Sequence, residues 1–107
     1  MTAPLPLAYG YLRNDLLRNR DYDSSEDRLR TAARSLGYEL ATVFREPSPQ
    51  NGALPAAFVD LVQECRRAEA HLVITLHGHM SGMSVCRMVL LAVLAVRADT
   101  AVQEVAP

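Results

Sequence analysis

Four places in the sequence carry side chains able to do chemistry. Arg13 closes an apolar run and precedes Asp15 by two residues; Glu46 follows another such run; His77-Gly78-His79 follows a third, with Ser81 just beyond; Cys65 and Cys86 stand alone. A guanidinium at a strand end can hold an anion such as a phosphate, or it can close a structural ion pair with Asp15, Glu46 or another nearby carboxylate. Arg13 and His79 are therefore the candidate anion-binding residues. Two histidines at i, i+2 can meet a metal ion from one side of an extended segment, with Cys86 or Glu46 as further ligands. Structural zinc wants four ligands, and the chain has no CxxC or HExxH. The expectation is ordinary turn histidines, no metal and no cofactor. In Gly78-His79-Met80-Ser81-Gly82 the serine comes one position late for G-x-S-x-G, so no catalytic residue is assigned.

These groups need elements to position them. Leu5–Leu12, Tyr38–Phe44, His71–Leu76 and Thr100–Val105 read as strands, rich in aromatic and β-branched residues. Between the first two, Ser24 caps a helix with Asp27 in the capping-box position. That helix buries Leu29, Ala32, Ala33 and Leu36, pairs Glu26 with Arg30, and stops at Gly37. Arg45–Leu54 reads as a loop. Pro55 then opens a second helix with Phe58, Leu61, Val62, Cys65 and Ala68 on its apolar stripe. A third helix runs from Ser84 to Ala98. Alternation of this kind predicts an α/β fold: a three-layer α/β/α domain over residues 1–107 with a mostly parallel four-stranded sheet.

The third helix is apolar around its whole circumference, interrupted only by Arg87 and Arg97. A helix on one face of a small sheet buries one stripe. The excess predicts either cover by neighbouring helices or a subunit interface, most simply a homodimer, with Met88, Leu90, Leu91 and Leu94 as interface residues.

The chain has 107 residues, a formal net charge of −1 and 50% apolar residues. That is one globular domain's worth with weak or no affinity for DNA expected. All eleven basic residues are arginine, which genomic GC bias explains. The cysteines read as reduced, buried apolar residues of a cytoplasmic protein. The longest apolar stretch, Met88–Val96, is about half of the roughly 20 residues a membrane-spanning helix requires.

Gly10-Tyr11-Leu12-Arg13 resembles the G-Y-x-R strand of serine recombinases, the resolvase/invertase family. Ala33 to Phe44 resembles that family's following helix-to-strand segment, and Leu72–Gly82 falls where the family has an apolar strand followed by L-D-R-L-x-R. The resemblance spans nearly the whole chain at the level of pattern. It implies a resolvase-like parallel α/β catalytic domain and DNA cleavage through a serine that becomes a 5′-phosphoserine, with arginines neutralising the anionic transition state. The matching positions depart from that chemistry. The family serine falls on Asp15, and the arginine of the loop after the second strand falls near Leu54 or Pro55. The D-R-L-x-R segment places Gly78, His79 and Gly82 where the family has Asp, Arg and Arg. Glu46 is retained in kind, and Arg13 is what remains of the arginine cluster. The chain also ends before the family's long dimerising helix and DNA-binding domain. The resemblance therefore implies a degenerate domain, a regulatory or protein-interaction module working through self-association. The rivals are a subunit of an active recombinase, with Arg13 and His79 assisting a partner's serine, and a small anion- or metal-binding domain.

Overall fold

The computed structural model describes residues 4–17, 22–48 and 54–106. The chain runs β1 (Leu7–Arg13), a 3-10 turn (Asn14–Leu16), α1 (Tyr22–Ser35), β2 (Glu39–Glu46), α2 (Ala56–Ala68), β3 (Leu72–Leu76), α3 (Arg87–Ala98) and β4 (Ala101–Val105). The strands form one all-parallel sheet in the order β2-β1-β3-β4. This is the expected α/β architecture.

The strand order dictates the layers. The β1-to-β2 connection steps one way across the sheet, whereas β2-to-β3 and β3-to-β4 step the other way. Right-handed crossovers then put α1 on one face and both α2 and α3 on the opposite face. The core divides accordingly. Ala8, Leu12 and Ile74 pack with Leu29 and Ala33 of α1. Tyr9, Tyr11 and Val73 pack with Phe58 and Leu61 of α2 and with Leu90 and Leu94 of α3. Alternate residues of β1 thus serve opposite faces. Gly10 shares the α1 face with Ala8 and Leu12. A Cβ there would lie 2.9 Å from Val43 Cγ2 and 3.1 Å from Leu29 Cδ1, so the glycine lets α1 and β2 approach.

Several boundaries differ from expectation. α1 begins at Tyr22, placing Ser24 inside the first turn rather than at a cap. It ends at Ser35, where Gly37 (φ +86) closes a turn with Gly37 N–H on the Arg34 carbonyl and Tyr38 N–H on the Ala33 carbonyl. Leu36 falls beyond the last helical residue and is 48% exposed, not buried. Glu26 pairs with Arg45 of β2 instead of Arg30, which takes Asp27. β2 runs two residues past Phe44, to Glu46. Residues 49–53 of the expected loop, Asn51-Gly52 among them, lie outside the described residues.

The interface expectation needs the largest correction. α3 starts at Arg87, with Cys86 exposed at its N-cap rather than buried. Leu90 and Leu94 are fully buried within the protomer against the sheet and α2, so neither can form a subunit interface. Leu91 is half-buried against the same cluster. Of the four residues named, Met88 faces outward, and it shares that side with Val89 and Val96.

Candidate functional site at the carboxyl ends of β1 and β3

In an open parallel sheet the crevice for ligands lies where the strand order reverses, outside the carboxyl ends of the two central strands. Here that place is between β1 and β3, which delivers Arg13 from one strand and the His77–Gly82 turn from the other.

Arg13 is buried and its guanidinium is engaged on three sides. Nε donates to Asp15 Oδ1 at 3.1 Å and Nη2 to Asp15 Oδ2 at 2.6 Å, a bidentate pair. Nη1 donates to the Ser81 carbonyl at 2.7 Å. The Arg13 backbone N–H donates to His79 Nδ1 at 2.9 Å. Of the two roles expected for Arg13, this geometry is the structural ion pair. Its fork is occupied by a carboxylate of its own chain and by a turn carbonyl.

His79 is 5% exposed, a buried group rather than a loose turn residue. With Nδ1 accepting a backbone N–H, the neutral ring carries its proton on Nε2. Burial and the positive charge of Arg13 hold its pKa below the ordinary value, with Asp15 opposing. His77 does not join it. His77 is exposed and turns to β4, where Glu104 takes both His77 Nδ1 (3.2 Å) and Arg87 Nε (2.6 Å). The i, i+2 spacing therefore does not bring the two imidazoles to one point. His71 lies elsewhere, with Nδ1 against the Asp99 carbonyl. Among the described residues no group of three or more His, Cys, Asp or Glu is placed to hold a metal ion. Cys65 is buried, and burial raises its thiol pKa to about 11.

Glu46 does not pair with Arg13, whose carboxylate partner is Asp15. It is fully buried at the end of β2, where Oε1 accepts from Tyr11 Oη (2.8 Å) and the Phe58 N–H (3.1 Å), and Oε2 from the Ala57 N–H (3.0 Å). The carboxylate thus caps α2 from another strand and meets the positive end of its dipole. Burial and Glu46 together push the Tyr11 hydroxyl well above the ordinary tyrosine range. The Tyr of G-Y-x-R, not the Arg, is what reaches Glu46.

A cleft of about 240 Å³ opens beside His79, lined also by Leu16, Leu17, Ser25 and Arg28. Ser25 is 5% exposed, and neither the Ser25 hydroxyl nor the Arg28 guanidinium has a hydrogen bond or ion pair among the described residues. The His79 Nε2–H is likewise without a partner among them. One guanidinium, the Ser24 and Ser25 hydroxyls and one imidazole N–H line one cleft, a donor set suited to an oxyanion. Neither Ser25 nor Arg28 belongs to a motif in the sequence; α1 carries both to the cleft, and only the fold sets them beside His79.

Neither a protein-family model nor a curated protein matches the sequence. Among solved structures, the C-terminal catalytic domain of ISC1926 TnpA, an IS607-like serine recombinase, is similar with a TM-score of 0.72 at 13% identity. The alignment covers 94% of this chain and 69% of that one. The likeness is one of fold: the chain has the architecture of a serine recombinase catalytic domain.

Proposed function

We propose that this chain is a recombinase-like domain without strand-cleaving chemistry, acting in the cytoplasm as a regulatory or protein-interaction module that associates with itself. The observation that carries this reading is the bidentate Arg13–Asp15 pair. A carboxylate stands where the resemblance asks for a nucleophilic serine, and it occupies the guanidinium that would receive a phosphate. A DNA phosphate entering there would meet a negative charge. The outward apolar side of α3, with Met88 77% and Val96 81% exposed, supports self-association. The deciding experiment is to incubate the protein with supercoiled DNA and trap covalent adducts. No protein–DNA band is expected, and a serine-linked adduct would falsify the proposal in favour of an active or partner-assisted recombinase subunit.

A second reading has its own observation. The cleft joining His79, Ser25 and Arg28 supports a small-oxyanion-binding domain. Titration with inorganic phosphate, followed by calorimetry, tests it: saturable heat lost in Arg28→Ala supports this reading, and no heat eliminates it.

A further inference from the structure

On the face of the sheet away from α1, α2 and α3 leave an open groove of about 310 Å³ between them. Leu54, Val59, Val62 and Val93 form its apolar walls. Its charged lining residues are Arg66 and Arg97. Both arginines are exposed, and neither guanidinium has a hydrogen bond or ion pair among the described residues. Each sits in the last turn of its helix. Because α2 and α3 both return against the same parallel strands, those last turns lie at the same edge of the sheet. The groove is therefore apolar along its length and positive at one end. Partial neutralisation of the helix C-termini explains a cation at each place, but it leaves the guanidinium forks open.

We infer that this groove docks an amphipathic helix of a second protein, one whose apolar stripe ends in a pair of carboxylates. Charge complementarity carries the choice of occupant. A helix lying between two helices can seat an i, i+3, i+4, i+7 stripe in the groove, and a carboxylate at its end can accept two N–H bonds from one guanidinium. A second copy of α3 does not suit: that helix holds no acidic residue from Arg87 to Ala98 and would bring its own arginines against Arg66 and Arg97. The outward side of α3, centred on Met88 and Val96, remains for self-association. This inference deepens the interaction-module reading and rests on it, but its test is separate from DNA cleavage and from oligomeric state.

The test is selection from a displayed library of helical peptides against the full chain, in parallel with an Arg66→Glu/Arg97→Glu variant. Both arginines are exposed, and their guanidinium groups are unpaired among the described residues, so the variant is expected to fold, which its amide spectrum checks. The unaltered chain is expected to enrich apolar stripes ending in Asp or Glu. A synthetic peptide of the enriched sequence should shift the Val62 and Val93 amides. The charge reversal should weaken that peptide by on the order of tenfold or more and enrich Lys or Arg at the same peptide positions. The inference is overturned by an empty selection, by winners without acidic residues, by equal binding to the variant, or by shifts centred on Met88 and Val96. A chain that fails this test and still self-associates loses the groove but keeps the module reading.

Discussion

Tyr11 and Glu46 show how one side-chain contact ties three elements together. The Tyr11 hydroxyl from β1 meets a carboxylate at the end of β2 that also caps α2. Tyr11→Phe removes one of the three donors to a buried charge. A hydrogen bond to a charged group contributes roughly 1.5–3 kcal/mol, so urea denaturation should show a loss in that range with an unchanged fold. Glu46→Ala should cost more, because it removes the cap and leaves the Tyr11 hydroxyl buried without its acceptor. An equal or smaller loss for Glu46→Ala would contradict the triple role.

His79 makes a pH prediction whose sign follows from its lowered pKa. Above the unfolded pKa of about 6.5 the ring is neutral in both states. As pH falls below that value, the unfolded chain takes up a proton that the folded one resists. Stability is then lost until the folded-state pKa is reached. His79→Asn can keep an acceptor for the Arg13 N–H while removing the titration. The difference in urea midpoint between the two proteins should change across this acid range and stay constant above it. A difference that does not vary with pH would show that His79 titrates alike in both states.

At the scale of elements, α3 separates residues that look alike in sequence. Leu90 and Leu94 are core; Met88 and Val96 are not. Leu94→Ala should cost roughly 2–5 kcal/mol, whereas Val96→Glu should change stability by less than about 0.5 kcal/mol. If self-association uses the outward side, light scattering should show Val96→Glu as a folded monomer where the unaltered chain is larger. A monomeric unaltered chain would end the dimer proposal. The strand pattern and the α2 stripe were legible because period and propensity agree there. The inward side of α3 was not, because a helix apolar all round has no periodic signal to choose it. Likewise, Ser25, Arg28 and His79 are separated by fifty residues between the last two, and only the β1–β3 switch point brings them to one cleft. In the sequence Gly10 is part of the Gly10-Tyr11-Leu12-Arg13 motif. Its packing reason, the approach of Leu29 and Val43, needs the third dimension. Gly10→Ala should cost roughly 1–3 kcal/mol by overpacking, measured by the same denaturation; a neutral substitution would mean that Val43 and Leu29 give way freely.

At the scale of the whole molecule, alternating α and β segments were enough to expect helices on both faces of a parallel sheet, whereas which helix takes which face follows from the strand order. The loss of expected burial at Leu36 and the earlier start of α1 are local matters of where a helix turn closes. They leave the sheet order unchanged. Among the described residues no helix is long and apolar enough to cross a membrane.

The strand order also has a consequence for how the chain comes off the ribosome. β1 is synthesised first yet lies in the middle, between β2 and β3. A nascent chain that has emerged only as far as α2 can pair β1 with β2 and cover one face with α1. Tyr9 and Tyr11 then have α2 above them, but β1 still has a bare edge toward the absent β3. An unpaired strand edge invites pairing with other chains. The gap closes only when Leu72–Leu76 arrives, so the interval between translating α2 and β3 is when this small domain is most exposed to mispairing on a crowded polysome.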